Sequence, residues 1–239
     1  MQLELTQQTT IRTWQESCIS GACGDLFLTA RTEQATRLLI ADACGHGPKA
    51  AQLSRLFTDI AWADLRRPLT QATFLGWNRR LIDGSPFLSR FVAVTVIELD
   101  HDDESARIWN AGNPALIWLR GTSGRLDPIE VYGMPLGIYS PPKFEPPCPG
   151  YVQPEEGDVL LAFSDGLTDL LSSREPTAKE HLRSVLAASV QRGTGPLEYL
   201  RSTLGEPQSA SALTDDLTVV EVAWPNGAAA TSRVSAAVA

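Results

Sequence analysis

Four aspartates stand out by their surroundings: Asp25 after Gly24, Asp42 ahead of a loop holding Gly45, His46 and Gly47, Asp165 before Gly166, and Asp215 paired with Asp216. The stretch 38–48, Leu-Leu-Ile-Ala-Asp-Ala-Cys-Gly-His-Gly-Pro, shows the pattern best. An apolar run ends abruptly in a carboxylate, and a turn with two glycines leads into Pro48. A carboxylate at the mouth of a buried strand is costly unless something positive meets it. The glycines permit a tight loop around whatever Asp42 holds. Taken alone, the stretch is equally an ordinary strand-to-helix turn, and aspartates at strand ends are often only turn residues. Repetition of the design in four places is what points to chemistry. If the fold gathers these carboxylates, their mutual repulsion calls for a multivalent cation. Hard oxygen ligands favour magnesium or manganese over zinc or copper. Two such ions, about 3.5 to 4 Å apart, can hold a bridging water and lower its pKa, giving a hydroxide suited to in-line attack on phosphorus. No Ser/His/Asp or Cys/His arrangement is apparent, and none is needed if water is the nucleophile.

The elements that must position these groups read as follows. Residues 11–20 suggest a first strand ending at Gly21, and 38–41 a strand that makes Gly24-Asp25 and Asp42 neighbours in a hairpin or meander. From Pro48, suited to the first position of a helix, Leu53, Leu56, Phe57, Ile60 and Ala61 recur at helical spacing. Phe74, Trp77 and Leu81 suggest a second helix closed by Gly84. Both stripes read as core. Residues 91–99 are β-branched and nearly uncharged, as a strand covered on both faces should be. Further strands are expected around 106–110, 115–119, 158–163 and 217–224, and helices around 181–190 and 196–204. Successive strands without intervening helices point to antiparallel sheet. The acidic run 100–104 reads as a solvated turn, and the proline-rich stretch 141–150 as a long surface loop rather than a linker. Residues 1–225 are expected to form a single domain and residues 226–239, without periodicity, a disordered tail.

Composition narrows the partners. A formal net charge of −8 argues against nucleic acid or an anionic membrane surface as partner. No apolar run approaches the roughly 18 to 20 residues of a membrane span, and the first residues lack the pattern of a signal peptide, so a cytoplasmic protein is expected. The four cysteines, Cys18, Cys23, Cys44 and Cys148, show no paired spacing for structural zinc. Small buried thiols account for them most simply, with a redox role left open for Cys23 and Cys44 beside two of the aspartates.

Six short motifs together carry a family resemblance: Gly24-Asp25; Asp42-Ala43-Cys44-Gly45-His46-Gly47; Asn110-Ala111-Gly112-Asn113-Pro114; Met134-Pro135-Leu136-Gly137; Ser164-Asp165-Gly166-Leu167-Thr168-Asp169; and Asp215-Asp216-Leu217-Thr218. In this order, over residues 21–224, the chain resembles the PPM-type metal-dependent protein serine/threonine phosphatases, in the bacterial branch of stage II sporulation protein E and the regulators of stress sigma factors. The resemblance implies an α+β fold, a four-layer α-β-β-α sandwich with two central antiparallel sheets, and a site for two Mn2+ or Mg2+ ions at one end. It implies that Asp25, Asp42, the backbone carbonyl of Ala43, Asp165 and Asp215 hold the metals, with Asp216 the alternative to Asp215. Gly24, Gly45, Gly47 and Gly166 shape the loops, and His46 either supports the metal loop or is merely structural. No side chain acts as the nucleophile.

The function it implies is hydrolysis of phosphoserine or phosphothreonine on a regulatory protein, of the anti-sigma-factor antagonist type. Two alternatives stand beside it: a non-catalytic pseudophosphatase in a partner-switching pathway, and a two-metal hydrolase of a small phosphoester. The helices over residues 48–84 follow the metal loop directly, and a regulatory partner is expected there rather than on an attached sensor domain. The motifs depart from the family where Cys23 stands for a glycine, Leu26-Phe27-Leu28 for an aromatic pair and an acid, and Asn113 for a histidine. These changes spare the implied ligands.

Overall fold

The computed structural model describes residues 2–4, 9–84, 91–172, 178–205 and 213–225. The tail expected at 226–239 lies outside the described residues. Two antiparallel sheets form the centre. The first runs β1 (Gln2–Glu4), β2 (Thr10–Glu16), β11 (Leu217–Ala223), β10 (Val159–Phe163), β7 (Leu116–Leu119) and β8 (Leu126–Ile129). The second runs β3 (Asp25–Arg31), β4 (Ala35–Ala43), β5 (Val92–Asp100), β6 (Ala106–Ala111) and β9 (Gly150–Val152). Between them lies an apolar layer in which Leu38, Ile40 and Ile97 of one sheet meet Leu160, Val220 and Val222 of the other.

Alternation along the strands sends the other face of each sheet outward, onto helices. Helices α1 (Pro48–Ala61) and α2 (Gln71–Gly84) cover the second sheet, burying Leu53, Phe57, Phe74, Trp77 and Leu81 against Leu39, Val94 and Trp109. Helices α3 (Asp165–Ser172), α4 (Ala178–Arg192) and α5 (Pro196–Leu204) cover the first sheet through Leu167, Leu171, Leu186, Leu197 and Leu200. The result is the expected α-β-β-α sandwich. Trp77 ties its helix pair together: its ring meets Phe57 edge-on at 5.7 Å and Phe74 at 5.0 Å, and its Nε1–H donates to Asp64 Oδ2 at 2.9 Å.

The register sets what the site needs. Asp25 pairs directly with Asp42 across β3 and β4. Paired residues share a face, and two residues back along β4 that face carries Ile40 into the layer between the sheets. On the other sheet, Phe163 near the end of β10 pairs with Val219 near the start of β11. The start of β3, the end of β4, the end of β10 and the start of β11 therefore meet at one end of the sandwich.

Three differences from the sequence reading have local causes. The first strand stops at Glu16 rather than running on to residue 20, because Ser17 and Cys18 turn to bond Asp216. Asp165-Gly166 is not a turn but the opening of α3, which the short run Leu167, Leu170, Leu171 is enough to bury. The strands β8 and β9, of four and three residues, are too short to show a period.

Candidate metal centre

Each candidate aspartate sits where a strand meets a turn or a helix. Asp25 opens β3 and is buried, Asp42 is half-buried near the end of β4, Asp165 opens α3, and Asp215 lies half-buried just before β11. Ala43 is the last residue of β4, and its carbonyl lies close to Gly24, within 3.2 Å of where a Cβ on that glycine would stand. Beyond it the chain reverses through Gly45 and Gly47, at φ of 82° and 78°, a region that side chains disfavour. That reversal delivers Pro48 to the first turn of α1 and leaves His46 exposed, near enough to Asp215 to favour its charged form.

Two buried groups strap the sheets together here. Ser164, wholly buried between β10 and α3, donates its hydroxyl hydrogen to Asp25 Oδ2 at 2.7 Å and accepts the Thr218 N–H at 2.9 Å. Asp216, 2% exposed, accepts from Gly24 N–H at 2.6 Å through Oδ2, and from Cys18 N–H and the Ser17 hydroxyl at 2.9 and 3.0 Å through Oδ1. With both oxygens engaged, Asp216 is the anchor of the Gly24-Asp25 turn. Gly166 owes its identity to the same crowding: a Cβ there would stand 2.0 Å from the Asp216 carbonyl oxygen.

The electrostatics are those of crowded carboxylates. Burial lifts the Asp25 carboxyl from its ordinary 3.8 to about 7, against the Ser164 and Thr218 hydroxyls that favour its charge and with the Asp216 and Asp165 charges adding to the rise. Asp42 rises too, from burial first and then from the charges of Asp25, Asp165 and Asp215. Asp165 and Asp215 are also raised, again chiefly by burial.

A hard divalent cation fits this donor set. Asp25 Oδ1 is buried and has no hydrogen-bond partner, while its other oxygen is taken by Ser164. Such an orphaned carboxylate oxygen is costly to bury, and a cation that coordinates it removes the cost. Ligand atoms of Cys18, Asp215 and Asp216 lie within 4.8 Å of one another, the one such trio found among the described residues; no three of Asp25, Asp42, Asp165 and Asp215 close to that distance. Asp216 is otherwise committed to the chain's own amides, which leaves Asp215 the freer carboxylate. None of the cysteines forms a disulfide. Burial, then the Asp216 charge, push the thiols of Cys18 and Cys23 up to about 11 and about 12, so neither is a ready nucleophile.

Ser164, Ser17 and Cys18 carry no site role in the sequence pattern. Only Ser164 carried a local sign, a hydroxyl next to a singled-out aspartate at a strand end. The Asn113 amide donates to Thr95 Oγ1 at 3.0 Å, inside a buried network with Asn110, and its own Oδ1 has no partner. The position thus supports the turn after β6, beside the site.

A sequence model described as stage II sporulation protein E matches residues 32–225. No curated protein sequence matches the chain. Among solved structures, the RsbU and RsbW domains of a Mycobacterium tuberculosis protein superpose with a TM-score of 0.73 at 20% identity, over 92% of this chain and 61% of that one. The PP2C phosphatase domain of SpoIIE from Bacillus subtilis, solved with a fragment of its regulatory domain, gives 0.70 at 16% identity, over 90% and 63%. The catalytic domain of the serine/threonine protein phosphatase PstP, solved with two manganese ions, gives 0.59 at 16% identity, over 92% and 99%. The chain thus spans about three fifths of the first two structures. No helix among the described residues is long and apolar enough to cross a membrane.

Proposed function

The chain belongs to the stage II sporulation protein E family, is homologous to the PP2C serine/threonine phosphatases, and on that premise we propose that it hydrolyses phosphoserine or phosphothreonine on a regulatory protein. The observation that carries this reading is the buried, partnerless Oδ1 of Asp25, set directly opposite Asp42 where both sheets end. Two Mn2+ or Mg2+ ions bound here would supply an acidified water and would neutralise charge at the phosphoryl group. Asp25, Asp42, Asp165, Asp215 and the Ala43 carbonyl are the groups that would hold them. The chain's own part is positioning. Asp216 and Ser164 fix the Gly24-Asp25 turn, the Gly45–Gly47 loop sets the Asp42–Ala43 pair, and Gly166 lets α3 begin against Asp216.

The substrate class we infer is a phosphorylated anti-sigma-factor antagonist. It rests on the family and on the likeness to RsbU and RsbW domains. A chain with a net charge of −8 gives no support to nucleic acid as an alternative. The helix pair over residues 48–84 is the proposed contact for a regulatory partner. Helix α1 starts at the metal loop, and α2 reaches the 137–139 segment, where the Asn78 amide accepts from Gly137 N–H at 2.7 Å and donates to the Tyr139 carbonyl at 2.9 Å. A partner that shifts the pair would shift Asp42 and Ala43 with it.

The test is phosphate release from a phosphoserine switch protein of this class, with added Mn2+ and then with excess EDTA. The reading expects manganese-dependent release and its loss in EDTA. Release that persists in a rigorously metal-free preparation refutes it.

A further inference from the structure

An apolar cluster fills much of the contact between the two sheets, and apolar contact carries no direction. At the site end, polar bonds replace it. Ser164 is wholly buried, and its backbone N–H donates to the Thr218 carbonyl at 3.0 Å, so its backbone belongs to the first sheet. Its hydroxyl has one hydrogen and two acceptor sites. The Thr218 N–H fills one acceptor site at 2.9 Å, and the hydrogen goes across to Asp25 Oδ2, in the second sheet, at 2.7 Å. One oxygen of Asp25 is thereby fixed against the first sheet; the other is buried without a hydrogen bond of good geometry, and the Thr218 hydroxyl, buried and likewise unpartnered, lies close enough to favour the carboxylate's charge.

We propose that Ser164 is the positioning residue that decides which oxygen of Asp25 is offered to a divalent cation. The inference rests on the reading of this end as a metal centre and adds to it a specific dependence: cation affinity follows a bond between the sheets, not only the aspartates. Groups that orient a ligand are typically worth about 10- to 100-fold in metal affinity. Without the hydroxyl, Asp25 Oδ2 loses its donor, Oδ1 is no longer singled out, and the Thr218 N–H is left buried without a partner.

Titration calorimetry of the full chain with Mn2+ tests this, with Ser164→Ala set beside Leu99→Ala. Leu99 lies in the same layer between the sheets, on β5, where Leu99 pairs with Ala106. Its truncation destabilises the fold without touching the site. The expected result is a loss of about tenfold or more in Mn2+ affinity for Ser164→Ala, and an unchanged affinity for Leu99→Ala despite its lower melting temperature. Unchanged affinity in Ser164→Ala overturns the proposal, and so does an equal loss in both variants, since affinity would then only follow stability. If the alanine chain does not fold, Ser164→Cys, which keeps a small side chain with a weaker donor, must show the loss instead, and wild-type affinity in it overturns the proposal. Failure of the unaltered chain to bind Mn2+ would refute the metal-centre reading itself. A wild-type chain that binds, beside a Ser164→Ala chain that binds equally well, refutes only the role of Ser164.

Discussion

Replacing Gly166 by alanine sets two effects of opposite sign against each other. Gly166 is the second residue of α3, and on helix propensity alone alanine should stabilise by about 1 kcal/mol. The added Cβ, however, would stand 2.0 Å from the Asp216 carbonyl oxygen, 2.9 Å from its carbon and 3.3 Å from Leu217 Cα. These are backbone atoms at the start of a central strand, with no flexible side chain to swing aside. Restoring an ordinary contact of about 3.4 Å requires one partner to retreat by about 1.4 Å. If α3 retreats, it carries Asp165. If the chain before β11 retreats, it carries Asp215 and loosens the bond from Gly24 to Asp216. A misplacement near 1 Å at a reacting centre costs on the order of a hundredfold in rate, and overpacking a tight contact costs about 1–3 kcal/mol. The expected outcome is therefore a lower melting temperature and a fall in phosphatase rate of roughly a hundredfold, read by thermal unfolding and by phosphate release under saturating Mn2+. A Gly166→Ala chain that melts higher than wild type and keeps its rate would show that propensity wins and that the close approach does not position the site.

Asp42→Asn keeps the shape of the side chain and removes its charge; most turnover should go while far-UV circular dichroism stays native, and near-normal turnover would place the centre elsewhere. In the metal-free protein the raised carboxyls make stability depend on pH. A folded-state value of about 7 for Asp25 against 3.8 means that its contribution is complete below about pH 4 and lost as pH rises through about 7, with Asp42 shifted in the same direction. Urea unfolding in EDTA should show stability falling across that window, and saturating Mn2+ should flatten the fall. Trp77→Ala removes the ring between Phe57 and Phe74 and should cost about 3–5 kcal/mol. If α1 and α2 transmit to the metal loop, the rate per folded molecule should drop as well, and a rate unchanged per folded molecule would leave the pair as plain core.

What could be read from the chain without coordinates was whatever a local pattern encodes. Pro48 and the spacing of Leu53, Phe57 and Ile60 mark α1 because helical period and cap chemistry are properties of adjacent residues. The uniform burial of Val92 to Leu99 follows from its β-branched composition in the same way. The family resemblance then supplied the layer order and the candidate ligands. What stayed hidden depends on contacts distant in sequence. That Asp216 is an anchor can be seen only once Gly24, 192 residues away, donates to it. Ser164 and Asp25 are 139 residues apart, and no spacing rule joins them. A glycine after Asp165 reads locally as a loop residue, whereas in the fold it is a close-approach residue inside a helix.

The central claim is that the partnerless oxygen of Asp25 and its neighbouring carboxylates form a cation site that drives phosphoester hydrolysis. Its most direct test is Mn2+ titrated into metal-free protein, with binding followed by calorimetry and phosphate release from a phosphoserine protein followed in parallel. The account predicts that release rises in step with occupancy and that Asp25→Asn abolishes both together. Phosphate release that is independent of Mn2+ occupancy, or Mn2+ binding that survives Asp25→Asn at wild-type affinity, would contradict it.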